Sequence, residues 1–497
     1  MIPAEVYYVL PYVLAFLLAV AIPIGATLQY RLARSVSSDA RVIVLLVMIA
    51  AGALLTVALT PRNLDERDIA MVGRQFLTDF DDGFAASRYL NMFLVGTGFV
   101  EMVRGWINSR ATVVADPARP ILIGLVAFYV GTILIQALGS AHPDFSYKSL
   151  YVPIILLAVF YQRVNNIALV IQVAKFAILA LMVASLAGMI IKPDFVLHRP
   201  EQGLIPGVDF RLFGLTPHAN ALGPIALIGL ILELHSPSTL RSMRAVHLLA
   251  ASAVFILAQS KTAWVACAMV VLFVAVPLGF TPNREPSKRA TQFNRAVFTL
   301  LMCIGLIIAV SVGLAAGDVF GYLERTAQVD TLTGRAQIWD ITLQAWRENL
   351  LFGYGREIWG TERMLKFRMF HVGQAHNQFV QTLGEAGLVG LFLLIAYLLI
   401  LLHSSLSRFV PSRGITFALL IVVLARSVTE APLRVDGVLS WPTFTLILLI
   451  MLACHYMRAE RTAHKGYGSI SPVQDQSFRR PNVSRSDALK QQSWRSV

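Results

Sequence analysis

The sequence predicts an all-α, polytopic integral membrane protein with about 12 or 13 transmembrane helices and one large helical loop on the outer side. Composition supports this fold class, because 56% of the 497 residues are hydrophobic and only 14% are charged. Soluble proteins have about 45–50% apolar and about 25% charged residues. The apolar residues also fall in blocks, and crossing a bilayer takes about 20 such residues.

The candidate spans follow one another along most of the chain, with polar segments between them. In chain order they are Tyr7–Thr27, Val42–Leu59, Pro120–Leu138, Ser149–Tyr161, Ile167–Ile191, Ala219–His235, Ala245–Ala258, Thr262–Phe280, Ala296–Ala316, Leu388–Leu406, Gly414–Ser427 and Leu439–Met457. A weaker candidate, Tyr89–Val103, follows Arg88 and contains Glu101. If it spans, the N-terminus lies outside, and if it does not, the N-terminus lies inside. The segments after Pro120 keep the same sides in both cases.

The basic residues indicate the orientation of the chain. The formal net charge is +13, but the basic residues lie in short segments between apolar blocks and in the tail after Met457, so we predict no nucleic-acid partner. This distribution is typical of the positive-inside rule. We therefore divide the chain into a membrane domain, residues 1–457, and a basic cytoplasmic tail, residues 458–497. The tail is rich in Ser, Gln and Arg and is predicted to be disordered.

By alternation from that tail, residues 317–387 form the longest segment on the outer side. A connector of this length is expected to carry structure of its own. Within it, "TGRAQIWDITLQAWREN" spaces Ile338, Ile341, Ala345 and Trp346 like an amphipathic helix, with Thr333 as the predicted N-cap. We predict that this loop is helical and lies over the outer mouth of the membrane domain.

Basic and polar side chains concentrate at the outer ends of the predicted helices. They are Arg211, His218, Lys261, Arg335, His376, Asn377, Gln381 and Glu385. Guanidinium and ammonium groups pair with phosphate oxygens, and helix N-termini add free N–H donors. A neutral histidine beside them can take a proton from an attacking sugar hydroxyl. The set is therefore suited to a diphosphate on a lipid carrier and to chemistry on an attached sugar.

Each of these residues also has a structural interpretation. An arginine in a loop, such as Arg211 or Arg335, can be an interfacial anchor or half of a salt bridge. His218 can cap its helix, and Lys261 can extend to the membrane interface. The polar stripe that follows His376 can hydrogen-bond neighbouring helices. Their convergence on one side of the membrane favours the functional interpretation over each separate structural one.

Several stretches share their order and spacing with a known family. They are "RLFGLTPHANALG", with Arg-x-x-Gly and Asn-x-x-Gly; the turn "AQSKTAW"; "TGRAQIWDITLQAWRENLLFGYG", with Gly-Arg-x-x-x-Trp and Asn-x-x-x-Gly-x-Gly; and "HNQFVQTLGEAGLVG". On these motifs the core from Arg211 to Glu430 resembles the O-antigen ligase and O-antigen polymerase family of bacterial surface-polysaccharide enzymes. One position departs from the family, because Lys261 stands where arginine is usual and cannot bind phosphate with two prongs.

The resemblance implies a metal-independent, inverting glycosyl transfer at the periplasmic face of the bacterial inner membrane, with no cofactor. It implies a glycan donor on undecaprenyl diphosphate, held by Arg211 and Arg335. His376 would activate the acceptor hydroxyl, and Lys261, His218 and the polar stripe would line the site. The acceptor is another lipid-linked repeat unit in a polymerase or the lipid A core in a ligase. The long chain and its basic tail favour an exopolysaccharide or O-antigen polymerase, with chain-length regulators or export proteins as partners.

A transporter or flippase is the alternative from another functional class. Its support is charge within apolar blocks, namely Lys175, Glu233 and Arg426 next to Glu430. Such residues cost about 2.5–3.5 kcal/mol at a helix centre, so they usually mark a function or a buried pair. Transporters place their sites near the bilayer midplane. Because most charges here concentrate at the outer surface, we favour an enzyme.

Two further alternatives have less support. Asp79-x-Asp81 could hold a metal ion, but the chain shows no α/β domain for a nucleotide, and His371 and His376 do not share a helix face. We therefore predict no metal site. A scaffold in a polysaccharide export complex is supported only by the polar tail.

Overall fold

The structure, a computed structural model, describes residues 37–60, 62, 64, 85–199, 205, 208–279, 330–367, 372–434 and 437–467. Its helices are α1 Ser38–Ala58, α2 Ala85–Val113, α3 Arg119–Gly139, α4 Tyr147–Tyr161, α5 Ile167–Ile191, α6 Pro193–Val196, α7 Ala219–His235, α8 Arg241–Leu257, α9 Lys261–Leu278, α10 Asp330–Trp346, α11 Thr361–Phe367, α12 Gln378–Ser407, α13 Ile415–Thr429 and α14 Trp441–Tyr467. Two short strands, β1 Leu197–His198 and β2 Arg211–Leu212, pair in antiparallel fashion.

The all-α membrane fold predicted from the sequence is confirmed. Within the described residues, the helices α1, α3, α5, α9, α12 and α14 are long and apolar enough to cross a membrane, and α4, α7 and α13 are shorter apolar helices. The spans predicted at Ile167–Ile191 and Ala219–His235 match α5 and α7 residue for residue. The spans predicted at Tyr7–Thr27 and Ala296–Ala316 lie outside the described residues.

Two predicted spans form helices with charged residues inside them or at their start. The helix α2 contains the weak candidate Tyr89–Val103, and α8 begins at Arg241. Neither belongs to the apolar helices named above. In α2, Glu101 lies 3.6 Å from Arg41 of α1 and accepts a 2.8 Å hydrogen bond from Gln162, so its charge is compensated inside the bundle. This pairing does not distinguish a spanning helix from a non-spanning one, so the side of the N-terminus stays a prediction.

The helix α12 is broken near its start, and a segment of the preceding loop fills the break. Gly387 has backbone angles of φ 63° and ψ −161°, outside the helical range. Backbone amides of Leu388 and Val389 donate to the carbonyls of Leu350 and Leu351, while Tyr354 donates to the Gly384 carbonyl. A Cβ on Gly353 would come within 2.6 Å of the backbone at Gly387. The Asn-x-x-x-Gly-x-Gly motif and the Gly-Leu-Val-Gly that ends the stretch "HNQFVQTLGEAGLVG" are thus the two halves of one backbone contact.

The described part of the outer loop is largely helical, as predicted. Ile338, Ile341 and Ala345 of α10 are buried together with Trp339 and with Val380 of α12. The predicted N-cap Thr333 is wrong, since α10 already begins at Asp330. The sequence "DTL" before Thr333 contains no helix breaker, so the helix can start earlier. This packing fixes α10 against the first turns of α12.

The helix α14 also differs from its predicted length. It runs to Tyr467, past the predicted end of the last span at Met457. Residues after Met457 include Ala, Glu, Arg and Lys, which favour helix whether or not they are apolar. Hydropathy marks where a span ends but not where its helix ends. Residues 468–497 of the predicted disordered tail lie outside the described part of the chain.

The β1–β2 hairpin is held by an arginine that lies after α1. Arg62 donates to the backbone carbonyls of Phe195, Gly214 and Thr216 at 2.6–2.9 Å. Its guanidinium also lies 4.9 Å from the centre of the Phe195 ring. Burial lowers the pKa of Arg62 to about 10, which leaves it charged at pH 7. Because β2 begins at Arg211, these bonds fix the loop that carries a predicted site residue.

Candidate active site

Four helix ends meet at the predicted outer end of the bundle. They are the starts of α7, α9 and α12 and the end of α13. Thr262 of α9 hydrogen-bonds Thr429 of α13 at 2.9 Å, and Asn377 before α12 donates to the Val428 carbonyl at 3.1 Å. Asn220 of α7 donates to Glu430 at 3.4 Å. Side chains at these ends therefore share one small region, although they come from distant parts of the chain.

His376 and Glu430 form the centre of this region. The Nδ1 atom of His376 lies 3.0 Å from a carboxylate oxygen of Glu430. An ionised carboxylate can only accept, so Nδ1 carries the proton and donates it in this bond. In the neutral imidazole with this tautomer, the other ring nitrogen, Nε2, is unprotonated and can accept a proton. A carboxylate that fixes the tautomer of a histidine in this way prepares it as a general base.

The backbone at His376 is also unusual. Its φ is +49°, in the left-handed region that side chains other than glycine rarely adopt. Such a conformation costs on the order of 1–3 kcal/mol and persists only where surrounding contacts impose it. Here the amide of the preceding Ala375 donates to the Gln381 side chain, and Asn377 caps α12 immediately afterwards. These two bonds hold the loop that presents the imidazole.

Glu430 collects contacts from several elements. Beside His376, it accepts from Gln374 at 2.9 Å and Asn220 at 3.4 Å, and it lies 3.9 Å from the guanidinium of Arg335. Burial alone would raise its pKa. The hydrogen bond from His376 and the charge of Arg426 oppose that effect, and the pKa is lowered to about 2. Glu430 is therefore ionised throughout the neutral range.

Arg335 reaches this cluster through the helix α10. Trp339, one turn later on the same face, donates its indole N–H to the Ala375 carbonyl at 2.7 Å. That bond ties α10 to the residue next to His376. The spacing Arg-x-x-x-Trp thus places the guanidinium of Arg335 beside Glu430. About a quarter of the Arg335 side chain stays exposed, so it can contact a ligand as well.

Arg211 enters from the β1–β2 hairpin. Its guanidinium donates to the Asn220 side chain and to the Gln259 carbonyl, both at 3.3 Å. Gln259 is buried, has a φ of +46°, and donates its side-chain amide to the Phe210 carbonyl at 2.6 Å. Burial and the nearby charge of Arg335 lower the pKa of Arg211. Asn220, which accepts from Arg211, donates to Glu430, and Arg335 lies beside the same carboxylate, so both arginines border one small region.

His218 also lies in this space, where it caps the helix α7. Its Nδ1 accepts from the Asn220 amide at 3.1 Å, as the N-cap of α7. Burial by surrounding protein, together with Arg211, His376 and Arg335, lowers its pKa to about 4 against the opposing effect of Glu430. The ring also keeps an exposed face, where water moderates the effect. The cap bond needs an unprotonated Nδ1, and the pKa is lowered, so His218 is neutral at pH 7.

The structure does not bring all predicted residues to the cluster. The side chain of Lys261, at the first residue of α9, is exposed and makes no ion pair with any described residue. Asn377 and Gln381 are buried, with Asn377 capping α12 and Gln381 bonding Ala375. Glu385 lies further along α12, where it pairs with Arg434 at 3.2 Å. The polar stripe therefore shapes the loop more than it lines the space around His376.

No candidate metal centre appears among the described residues, which contain no group of three or more His, Cys, Asp or Glu side chains placed to hold an ion. Asp79, Asp81 and His371 lie outside those residues. The predicted absence of a metal at the site stays a prediction.

Sequence reasoning missed the central carboxylate. Glu430 comes directly after an apolar helix and was interpreted only as a charge within the membrane. Its partner His376 is 54 residues earlier in the chain, so no local spacing connects them. The available signal was its place at an outer helix end, which it shares with the predicted basic residues. Asn220, which links Arg211 to Glu430, lies within the quoted Asn-x-x-Gly motif.

Residues 246–395 match the family model described as O-antigen ligase. The matched region contains Lys261, Arg335 and His376, whereas Arg211 and Glu430 lie outside it. A search of curated proteins found no match. The match therefore supports the resemblance through the outer loop and the helices that flank it.

Proposed function

The chain belongs to the O-antigen ligase/polymerase family, and on that premise we propose that it transfers a glycan from undecaprenyl diphosphate during surface-polysaccharide synthesis. The transfer takes place at the periplasmic face of the inner membrane, and the C-terminal tail is cytoplasmic. The observation that carries the proposal is the contact between His376 and Glu430, with Arg335 on the same carboxylate. It unites a base, its orienting acid and a phosphate-binding cation.

The proposed reaction is a single displacement. A hydroxyl oxygen of the acceptor attacks the anomeric carbon of the donor sugar, and its proton passes to Nε2 of His376. The bond between that carbon and the diphosphate oxygen breaks, and undecaprenyl diphosphate leaves with the electron pair. Attack opposite the leaving group inverts the anomeric centre. Glu430 stabilises the imidazolium that forms, as the carboxylate does in a catalytic triad.

The charge balance of the cluster supports an anionic donor. Arg211 is linked to Glu430 through Asn220, Arg335 lies 3.9 Å from Glu430, and Arg426 lies one turn before it. Among the described residues around His376, Glu430 is the carboxylate that offsets these cations. The excess positive charge suits a diphosphate, which arginine binds with two parallel hydrogen bonds. Stabilising the departing diphosphate also lowers the barrier to transfer.

The acceptor distinguishes two versions of this function. We propose polymerisation onto another lipid-linked repeat unit, supported by the long chain and its basic tail. Transfer to a lipid A core is the second candidate, supported by the description of the matched family model. Both versions use the same donor chemistry at His376.

The test is a transfer assay with purified protein and undecaprenyl-diphosphate-linked repeat units. We expect His376→Ala to reduce the rate by about 10²–10⁴, because general-base catalysis contributes that much. The variant should insert and unfold like the wild type. His403→Ala, an exposed histidine near the far end of the same helix, is the matched control and should retain activity.

The products and additives separate the remaining possibilities. A ladder of polymer without lipid A core supports the polymerase, and product only with that core supports the ligase. Activity should persist in EDTA. Full activity in His376→Ala contradicts the assignment of the base, and activity lost on chelation points to a metal in the reaction.

A further inference from the structure

Arg426, in the last turn of α13, is a buried cation that forms no hydrogen bond with the rest of the described chain. Its side chain is 6% exposed, and its Nε donor is enclosed without a partner. No ion pair joins its guanidinium to another described residue either. Arginine stays protonated in proteins, so a full positive charge is enclosed here. Such a charge is costly to the fold unless something compensates for it.

Arg62 shows how the same protein uses an arginine for structure. Its guanidinium donates to the backbone carbonyls of three residues around the β1–β2 hairpin, namely Phe195, Gly214 and Thr216. Those bonds join the segment after α1 to the hairpin, so a stabilising role accounts for Arg62. Arg426 makes no such bonds, and a stabilising role does not account for it. The reason for its enclosed charge must lie in what is close to it.

Glu430 lies one turn after Arg426, at the point where α13 ends. The Glu430 amide donates to the Arg426 carbonyl at 2.7 Å, and the charge of Arg426 helps to lower the pKa of the Glu430 carboxyl. The residues between them are held by neighbouring helices, because Asn377 donates to the Val428 carbonyl and Thr262 bonds Thr429. The fold therefore fixes the carboxylate close to this enclosed cation.

The contact between His376 and Glu430 creates a need for such a cation. A carboxylate beside a histidine favours the protonated imidazole, which has no free ring nitrogen and cannot act as a base. Cations near the carboxylate oppose this effect. Arg434, which bonds the loop before His376, is already paired with Glu385. The remaining charged or titratable groups around the imidazole are Glu430 and Arg426 of α13, Arg335 of α10, Arg211 of β2 and His218, the cap of α7.

These cations differ in what happens to them when the donor binds. Arg211 and Arg335 are partly exposed, and in the proposed function they hold the diphosphate, whose negative charge offsets theirs. Arg426 is enclosed, so its charge stays beside Glu430 whether or not a substrate is bound. In the complex with the donor, Arg426 is therefore the cation that still balances the carboxylate.

We propose that Arg426 is a positioning residue for the transfer: it acts through Glu430 and keeps His376 in the neutral form that can take the proton of the acceptor hydroxyl. This role rests on the proposed function, since a base matters only where a proton is transferred. It does not bring Arg426 into contact with substrate, because the side chain is enclosed. The fold then carries an unpaired charge for the sake of activity. Its removal should give a protein that is at least as stable but less active.

The experiment measures the ionisation of His376, the transfer rate and the stability separately. The variants are Arg426→Met and Arg426→Gln, and the matched control is Arg413→Met, an exposed arginine just before the start of the same helix. Arg62→Met is the comparison for stability. The ring signals of isotope-labelled histidine are followed with pH by NMR on the full chain in nanodiscs, and those of His376 are assigned by their absence in His376→Ala. The transfer rate is measured over the same pH range.

Removing a positive charge favours the protonated imidazole. In both Arg426 variants, His376 should therefore take up its proton at a pH about one unit higher than in the wild type. The acid limb of the transfer rate should move by the same amount, and activity should recover at alkaline pH. Arg413→Met should match the wild type in both measurements. Arg426→Met should unfold at or above the wild-type temperature, whereas Arg62→Met should unfold below it.

Several outcomes would overturn the proposal. One is an unchanged titration of His376 in both variants, and another is a loss of activity that is equal at every pH. Failure of both variants to fold, or a lower unfolding temperature in both, would make Arg426 a structural residue. A donor KM that rises at every pH would make it a ligand of the diphosphate instead. If the wild type transfers no glycan, the proposed function fails, and the titration of His376 still decides whether Arg426 controls its proton.

Discussion

Glu233 and Glu430 each lie beside a histidine and a basic side chain, but only one of the two groups is open to a ligand. Glu233 is 2.6 Å from Lys175, and both side chains are almost fully buried. It also accepts from the amide and the hydroxyl of Ser238 at 2.7 and 2.9 Å. His247, 4.0 Å away, donates to the Met243 carbonyl. The carboxylate of Glu233 and the ammonium of Lys175 are both engaged inside the protein.

The Glu430 cluster uses similar side chains differently. His376 and Arg335 stay 31% and 25% exposed, and Arg335 remains 3.9 Å from the carboxylate. Its cations outnumber the carboxylate they share, so an added anion is favoured. The comparison shows that residue types do not identify a site. What separates a site from a structural ion pair is whether its hydrogen bonds are completed by the protein.

This difference also bears on the transporter alternative. Lys175 and Glu233 supplied most of its support in the sequence. In the structure they form a buried pair that also fixes the turn after α7, since Lys175 donates to the Ser236 carbonyl at 2.6 Å. A completed pair of this kind is not an open binding site for a transported ion or sugar.

Of the substitutions that compare the Glu233 and Glu430 groups, replacing Glu430 should have the largest effect, a loss of activity. Glu430→Gln keeps the shape, but its amide can donate towards His376 and favour the wrong tautomer. We expect kcat to fall by about 10²–10⁴, as in triads whose orienting acid is replaced by an amide. Assays of kcat beside thermal unfolding check this. Glu233→Gln is the matched control and should lower stability without lowering kcat per folded molecule; equal kcat in the two variants contradicts the comparison.

Breaking the buried pair should affect stability instead. Lys175→Met leaves Glu233 charged and buried without its cation, so unfolding should become easier by about 3–5 kcal/mol. Denaturation in detergent measures the loss, and the transfer rate of the protein that remains folded should match the wild type. The double variant Lys175→Met/Glu233→Gln should recover part of the stability. A loss of activity at normal stability would contradict this expectation and indicate that the pair takes part in function.

Arg335→Lys should have an intermediate effect. Lysine keeps the charge but cannot make two parallel hydrogen bonds to a diphosphate, so kcat/KM should fall by about 10- to 100-fold. The change should appear in the donor KM more than in thermal stability. Arg347→Lys, exposed just beyond the end of the same helix α10, is the control. If both variants behave like the wild type, Arg335 acts only as a salt-bridge partner.

The smallest effect should be a pH dependence that comes from His218. Its pKa is lowered to about 4 in the fold, whereas an unfolded histidine titrates near 6.5. Between these values the unfolded chain binds the proton first, so this group makes stability rise with pH and fall as the pH drops from about 6.5 towards 4. Protonation also removes the Nδ1 acceptor that caps α7. His218→Asn, which caps without titrating, should flatten the unfolding temperature across this window; an unchanged profile contradicts the assignment.

The sequence predicted the fold well because its signals are local. Apolar blocks determine which helices enter a membrane, and the bounds of α5 and α7 follow from their polar neighbours alone. Predicted ends were wrong where a helix continues in polar sequence, as at Tyr467, or starts before its supposed cap, as at Asp330. Hydropathy does not report either case.

By itself the sequence determined the membrane class, the helical outer loop and the family motifs, and it predicted His376, Arg335 and Arg211 as site residues, because each depends on composition or short spacing. The tertiary structure alone decided that Glu430 orients His376, that Asn377 and Gln381 build the loop, and that Lys175 is neutralised by Glu233. Two of these three cases, His376 with Glu430 and Lys175 with Glu233, are contacts between residues at least 54 positions apart in the chain. Which acid meets which base depends on how helices pack, and no local pattern in the chain records that arrangement.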